Sequence, residues 1–572
     1  MGIGKLALFL LCAFLCQLVF SSSLPHLCPN DQALALLQFN NAFTINLDAS
    51  SSDYYPKTVK WNRSTDCCSW DGVKCDETTG QVIELDLSRS QRQGKFHSNS
   101  SLFKLSNLKR LDLFENDNSG SLISPKFGEL SSLTHLDLSY SSFTGIITAE
   151  ISRLSKLHVL SIESDPYELR FEPHNFELLP KNLTQLRELH LSSVNISSTI
   201  PLNFSSYLTT LHLSDTQIYG ILPEGVFHLS NLESLDISFN PQLTVRFPTT
   251  KGNSSASLME LYLYSVNATS NNELNDTFPK WLRALPNLKI LRLRSNKFFG
   301  PIKDSSTYKF AQIQVIDLSS NGFNGDLPVS LFENFEAMKI IGENSGTREY
   351  VGEAFSYDYK NSLIVTTNGL DHELPRVLTT EIIIDLSEGH IPSIIGDLIG
   401  IRTLSLSHNR LEGDIPASLH QLSVLESLDL SSNKIRGEIP QQLASLTFLA
   451  VLNLSHNHLV GCIPKEKQFD TFENSSYQGN GGLRGLPLSK DCGGDEGVPQ
   501  ATTQVGLDEG EEGDSAIISW QAVLMGYGCG LVIGLSIIYI MLSTHYPAWF
   551  SRRDVELEHK ILKRMKKHQK RH

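Results

Sequence analysis

Three segments between Leu398 and Pro464 repeat in register. Leu404, Leu428 and Leu452 are 24 residues apart. The same spacing separates Asn409, Asn433 and Asn457, then Gly413, Gly437 and Gly461, then Pro416, Pro440 and Pro464. Each unit reads LxxLxxLxLSxNxLxGxIP, as in the run LSVLESLDLSSNKIRGEIP from Leu422. This is the leucine-rich repeat pattern. Its xLxLx core alternates, so it forms a short strand with both leucines on one face. The asparagine can satisfy backbone groups at the bend that follows. Gly-x-Ile-Pro closes the convex side, because Gly permits tight reversal and Pro stops further pairing. One unit cannot bury its leucines alone, so the units must stack around one continuous core.

Looser copies lie upstream. They begin with VIELDLS at Val82, and their central residues are Leu85, Leu111, Leu136, Leu160, Leu189, Leu211, Leu235, Leu261, Leu291 and Ile316. Spacings of 22 to 30 residues place the length variation on the connecting side, where insertions are tolerated. About ten repeats therefore fill 82–328 and about four fill 381–464. Between them, 329–380 carries no repeat signature and reads as an island that loops out or packs on the flank. The repeat resumes at EIIIDLS, read with Ile384 and Leu386 as its leucine equivalents. On that reading the unit is about five residues short before its Gly-x-Ile-Pro turn and lacks the asparagine. The expected fold is an α/β repeat: a curved solenoid of about fourteen leucine-rich repeats, with disulfide caps, one island and a single transmembrane helix.

The ends set the compartment. Residues 1–23 read as a secretory signal, with Lys5, an apolar run from Leu6 to Phe20, and small residues Ser21–Ser23 for cleavage. Residues 24–81 form an N-terminal cysteine cap, in which Asp31 precedes an amphipathic helical run. Among the nine cysteines, Cys28, Cys67, Cys68 and Cys75 sit in this cap, and Cys462 and Cys492 lie near the other end of the array. Cysteines flanking a solenoid behind a leader read as disulfides rather than as a metal site, and no histidine ligand spacing accompanies them. Four cysteines allow three connectivities. Cys28–Cys67 with Cys68–Cys75 is the expected one, and Cys462–Cys492 is expected in the second cap.

Residues 465–517 form the C-terminal cap and an acidic linker. The stretch 518–542 has no charged residue and is long enough to span a bilayer. The tail 543–572 is basic. Its part 552–572 holds nine basic against three acidic residues, a surplus of six. Since the whole chain is at −14, the rest is near −20. An acidic flank before the span and a basic one after it put the tail in the cytosol, a single-pass type I topology at the plasma membrane. The acidic balance argues against a nucleic-acid partner. Within the span, Gly526, Gly530 and Gly534 stand on one helix face and invite close helix–helix contact.

The pattern holds no phosphate-binding loop, zinc-protease helix or nucleophile elbow, so the expected function is not enzymatic and calls for no cofactor or metal. Binding is expected instead on the concave sheet, where each repeat offers outward side chains in a regular array. The usual residues there are Asp or Asn, then Ser. The departures are Ser161, His190, His212, Tyr262 and Arg292 between the leucines, and Phe114, Glu163, Tyr264 and Arg294 after them. Aromatics and arginines are favoured at binding hot spots. Ten glycosylation sequons begin at Asn62, Asn99, Asn182, Asn195, Asn203, Asn253, Asn267, Asn275, Asn453 and Asn474. Asn453 lies between Leu452 and Leu454, so a glycan there would cover part of the concave face.

The runs DCCSWDGVKC, YKNSLIVTTNGLDHELPRVLTT, NSSYQGNGGLRGLPLSK and WQAVLMGYGCGLVIGLSIIYIM, in this order around the repeats, resemble plant receptor-like proteins of the Cf class. These are tomato-type resistance proteins against Cladosporium leaf mould. The resemblance implies a cell-surface immune receptor without a kinase of its own. It would sense an apoplastic effector or a guarded host protein. Signalling would pass through a receptor-like kinase adaptor, met partly by the Gly526, Gly530 and Gly534 face, and through a coreceptor kinase. Recognition would rest on variable concave residues of the N-terminal and middle repeats. Three other readings share parts of this architecture: a developmental peptide coreceptor, a shortened copy that no longer recognises a ligand, and a wall-enzyme inhibitor.

Overall fold

The computed structural model describes residues 27–492 apart from 47–54, 165–167, 173, 249–256, 270–277, 280, 283–284, 303–309, 342–362, 368–369, 375–379, 385–388, 466 and 489–491. One fifteen-stranded sheet runs through it, from Val73–Cys75 to Val451–Asn453. All neighbouring strands are parallel except the first pair, where Val73–Cys75 runs antiparallel to Val82–Asp86. Register follows the leucines: Leu404 stands opposite Leu428, and Leu428 opposite Leu452. These side chains are almost wholly removed from water. Each such burial is worth about 2 kcal/mol, so the stack rather than any one unit holds the fold.

After each Pro of Gly-x-Ile-Pro the chain enters one 3₁₀ turn, as in Ala417–Gln421 and Gln441–Ser445. The turns bury Leu419 and Leu443 against the core. Where two turns touch, size matters. A Cβ on Gly396 would stand 2.4 Å from the Ser418 carbonyl oxygen, so only glycine fits.

The asparagines form a ladder beside the sheet. Asn433 Nδ2 donates to the carbonyls of Leu406 in the preceding repeat (2.8 Å) and of Leu430 in its own (3.0 Å). Its Oδ1 accepts from the Leu411 amide of the preceding repeat at 3.1 Å. Asn457 repeats this with Leu430, Leu454 and the Ile435 amide. Asn116, Asn240, Asn296 and Asn321 do the same upstream. The residue before each asparagine is turned into the left-handed region, for example Phe239, Ser432 and His456 at φ near 56°. That conformation is unfavourable for a residue with a Cβ. The asparagine bonds on its C-terminal side hold it there.

Both caps cover open core edges. The N-terminal helix spans Asn30–Asn40 with Pro29 at its cap, so Asp31 sits in the first turn rather than capping it. There its carboxylate faces the positive end of the helix dipole. Gln32 accepts from the Val82 amide at 2.7 Å and so ties the helix to the first repeat strand. Trp61 and Trp70 stack with centroids 5.2 Å apart. The bridges are Cys28–Cys67, Cys68–Cys75 and Cys462–Cys492, as expected. The four N-terminal sulfurs lie within 4.8 Å of one another, but the two disulfides engage all four. The C-terminal cap imitates a further repeat. Asn480 donates to the Leu454 carbonyl at 2.9 Å, and Tyr477 and Leu483 are buried below it.

Two sequence expectations change. First, residues 329–339 are repeat, not island. Val329–Glu333 is the convex helical turn, and Leu331, Phe332, Phe335 and Met338 are buried in the core. Phe335 and Met338 take the two leading leucine positions, which hid them from a leucine pattern. The chain leaves the array after Ile340, and the described part of the insertion contains a hairpin of Leu363–Thr367 with Leu370–Leu374. Second, the strand after the insertion is Glu381–Ile383, with Ile382 opposite Ile316 and Leu404. The leucine equivalents are therefore Ile382 and Ile384, two residues earlier than read. Counted from Ile382, Gly389 comes seven residues later, against nine from Leu404 to Gly413, so the unit is short by two residues rather than five. It still lacks the asparagine.

Among the described residues no helix is long and apolar enough to cross a membrane. The expected leader 1–23, span 518–542 and tail 543–572 lie outside the described residues.

The ladder can be tested by Asn433→Ala. It leaves the Leu406 and Leu430 carbonyls and the Leu411 amide short of partners, and unpaired buried groups cost about 1–3 kcal/mol each. Guanidinium unfolding should show a loss of about 3 kcal/mol, whereas a variant as stable as the parent would show that the ladder carries no load.

Candidate functional site: the concave sheet face

Strand alternation puts three side chains per repeat on the concave face: the residue before the two leucines, the one between them and the one after. Departures from the Asp-and-Ser pattern mark only the last two. The missed column includes Arg110, His135, Glu188, Ser234, Glu260, Ile290 and Val315. Its signal was the same alternation carried one step further. A fourth set is the left-handed residue before the asparagine, which brings Phe239 to the edge of the face with 44% of its surface exposed.

The nine expected residues fall into separate groups. Phe114 stands apart near the N-terminal end. Arg89 lies 4.9 Å over its ring, and Tyr140 meets it edge-on at 5.9 Å. Ser161, Glu163, His190 and His212 belong to a polar cluster. Ser161 Oγ is 2.7 Å from Ser139 Oγ, which also accepts from the Glu163 amide at 3.0 Å. His190 and His212 meet through their Nδ1 atoms at 3.2 Å. His190 Nε2 lies 3.6 Å from Glu188. His212 Nε2 lies 2.9 Å from Ser234 Oγ, which donates to Glu260 at 3.0 Å. A lateral chain Glu188–His190–His212–Ser234–Glu260 thus braces four adjacent strands. Ser161 and Glu163 are buried, which removes them from direct contact with a large ligand.

Charge is unusual in this cluster. Burial disfavours the charged form of His190, but the Glu188 hydrogen bond and the carboxylates of Glu163, Glu188 and Asp137 outweigh it, so its affinity for a proton is raised. Glu188 is held below its ordinary range, first by its hydrogen bond to His190. Burial and the neighbouring Asp112 push Asp137 up to about 7. Asp112 is raised in turn, by burial and then by Asp86.

The second group is aromatic and cationic. Tyr262 and Arg292 are opposite each other on neighbouring strands, and the guanidinium lies 5.9 Å from the ring centroid. One position further on, Arg294 lies 5.7 Å from the Tyr264 ring. Tyr264 also packs on Phe239, with centroids 4.5 Å apart. Beside them Ile290, Val315 and Ile383 form a small apolar cluster on the same sheet face, with Tyr262 against it. Stacking on tyrosine orients each guanidinium, and paired guanidinium groups on one strand suit carboxylate or other acidic groups of a protein or peptide.

Of the sequons, Asn62, Asn99, Asn182, Asn203 and Asn474 are exposed, and Asn195 and Asn267 are half-buried. Asn453 is on the concave face as expected but only 6% exposed, and its Oδ1 accepts from the Ser455 amide and hydroxyl. A glycan there would require this buried, hydrogen-bonded side chain to leave its place on the sheet. Asn253, Asn275, Gly526, Gly530 and Gly534 lie outside the described residues.

Family models match this chain at three places: a leucine rich repeat N-terminal domain at 29–76, and leucine rich repeats at 132–154 and 399–459. Receptor-like protein Cf-9 of Solanum pimpinellifolium is 45% identical, over 99% of this chain and 100% of the relative. A Cf-9 homolog of Solanum lycopersicum is 44% identical, over 94% and 98%. The alignment to Cf-9 has 863 positions against 572 residues here, a difference of 291, so the relative carries a large stretch of sequence that this chain lacks. Among solved structures, that of a TDR receptor superposes with a TM-score of 0.51 at 24% identity, over 73% of this chain and 67% of that one.

The acid cluster predicts a pH effect. Asp137 binds its proton more tightly folded than unfolded, so its contribution is full below the unfolded value and is lost as pH rises towards 7. His190, also raised, acts in the same direction. The melting temperature should therefore be roughly 1–3 °C higher at pH 5 than at pH 7.5, and Asp137→Asn should flatten that difference. A melting temperature that rises with pH over this range would contradict the assignment.

Proposed function

Given that this chain belongs to the family of Cf-9-type plant receptor-like proteins, which are leucine-rich-repeat receptors of the cell surface rather than enzymes, we propose that it is a kinase-less immune receptor. It recognises an apoplastic pathogen effector or a guarded host protein and signals through a partner receptor-like kinase. The observation that carries this reading is the set Tyr262, Tyr264, Arg292 and Arg294. These four residues break the Asp-and-Ser pattern of the face, they are adjacent in space, and their types are those that dominate binding energy.

Residues 518–542 cross the plasma membrane once, with the solenoid outside. Gly526, Gly530 and Gly534 let the span approach that of an adaptor kinase closely. The regular repeats from Leu398 to Pro464 are the membrane-proximal base and, with the span, the docking surface for the adaptor kinase; a coreceptor kinase joins as a second partner. The exposed sequons carry glycans away from the concave sheet.

The test uses the full-length chain co-expressed with the adaptor kinase. Association should be retained by the parent and reduced at least tenfold when Gly526, Gly530 and Gly534 are all changed to Leu. Arg292→Ala with Arg294→Ala should leave that association intact and abolish effector-triggered signalling in a host that responds to the parent. Failure of the parent to associate would sink the signalling reading. A double-arginine variant that still signals fully would sink the recognition surface.

A further inference from the structure

The N-terminal cap and the first repeats enclose a second concavity, far along the chain from the tyrosine and arginine group. It has a volume of about 270 Å³. Its floor is made of phenyl rings: Phe39 from the cap helix, Phe43 from the strand that follows, and Phe96 from the loop after the first repeat. Phe39 packs edge-on against Phe43 at 5.2 Å and against Phe96 at 5.8 Å, so the floor is continuous. Lys95 and Lys104 stand at its rim, both exposed, and none of the described residues that line it is a carboxylate. Among the described residues neither lysine has an acidic partner.

Behind the phenyl floor lies a third cation. Arg92 is only 3% exposed, with its guanidinium 4.4 Å from the Phe39 centroid and 3.9 Å from that of Phe43. Its Nε and Nη2 have no hydrogen-bond partner among the described residues, and no acid neutralises it. Burial lowers its affinity for a proton only to about 9, so it stays charged at neutral and acidic pH. A buried charge is poorly screened, and its field extends through the low-dielectric wall into the cavity. Three cations without counter-ions among the described residues, around one aromatic pocket, stand out in a chain whose net charge is −14.

We infer that this cavity binds an acidic sugar, a uronate-bearing unit of a polysaccharide. Each part of the wall matches a part of such a ligand. The C–H face of a pyranose ring lies against phenyl rings. A carboxylate is held by Lys95 and Lys104 in the field of Arg92. Ring hydroxyls meet the exposed amide of Gln38 at the rim. The volume suits one or two sugar rings, below the usual range for larger ligands. The site would hold the ectodomain to an acidic polysaccharide while leaving the concave sheet free, so it is independent of the recognition surface proposed above.

The test is titration of the full-length chain, purified in detergent from a secretory host, with trigalacturonate, cellotriose and tetraglutamate. Trigalacturonate should bind saturably, and at least tenfold more tightly than either control. Lys95→Gln with Lys104→Gln should weaken it at least tenfold and leave the circular dichroism spectrum unchanged. Raising the salt from 50 to 300 mM should weaken the parent and affect the double variant less. Asn99, which begins a sequon, also lines the cavity. Asn99→Gln should therefore bind at least as well as the parent. Equal binding by parent and double variant would overturn the site, and so would a preference for tetraglutamate. Binding seen only after Asn99→Gln would overturn it too, because the cavity would then be filled by the chain's own glycan.

Discussion

The asparagine side chain that follows half of the repeat strands, at Asn116, Asn240, Asn296, Asn321, Asn409, Asn433 and Asn457, is the interaction on which the setting of the solenoid's repeats depends. Leucine burial is strong but does not specify how one unit sits on the next. The asparagine does. Asn433 joins the carbonyls of two successive repeats and accepts an amide of the earlier one, so it fixes their spacing and tilt together. It also holds the residue before it in the left-handed region, which places a side chain at the edge of the concave face. Phe239 reaches Tyr264 only because of this bend. A local hydrogen-bonding habit thereby becomes part of the binding surface.

The same logic explains where the array is weak. The repeat containing Ile382 lacks the asparagine, as do those of Leu85, Leu136, Leu160, Leu189, Leu211 and Leu261, and it combines that loss with a turn short by two residues. It follows the insertion and must join the ten upstream repeats to the three regular ones. Parallel pairing with Val315–Asp317 on one side and Thr403–Ser405 on the other carries that junction. Gly400 helps, because its amide donates to the Met338 carbonyl at 2.8 Å and a Cβ there would meet the Ile340 carbonyl oxygen at 2.5 Å. The junction lies next to the tyrosine and arginine group, so adjustment there would be felt by a bound ligand.

Much of the fold was legible because burial is periodic and leucine is its usual agent. The central residues from Leu85 to Ile316 are those the strands bury. Legibility failed where a different apolar residue filled a leucine position. Phe335 and Met338 hid the end of a repeat inside an apparent island. Three consecutive isoleucines at Ile382–Ile384 left the register open by two residues, and only strand pairing decided it. The site was half legible. Departures from the Asp-and-Ser pattern pointed to Tyr262, Tyr264, Arg292 and Arg294, which do stand together. They could not show that Ser161, Glu163 and Asn453 are buried by neighbours across the sheet, because lateral crowding depends on residues some 24 positions away. Nor could they show the basic pocket beside Phe39, which joins a helix, a strand and a loop from separate parts of the chain.

A preformed recognition face requires a rigid array, and hydrogen exchange of the folded chain measures that rigidity directly. The amides of Leu411, Ile435 and Leu459, which donate to Asn433, Asn457 and Asn480, should exchange as slowly as those of the central strands. Amides flanking Ile382–Ile384 should exchange faster than these three. Rapid exchange at the asparagine-bonded amides would contradict the account, because the repeats would then be stacked by leucine burial alone.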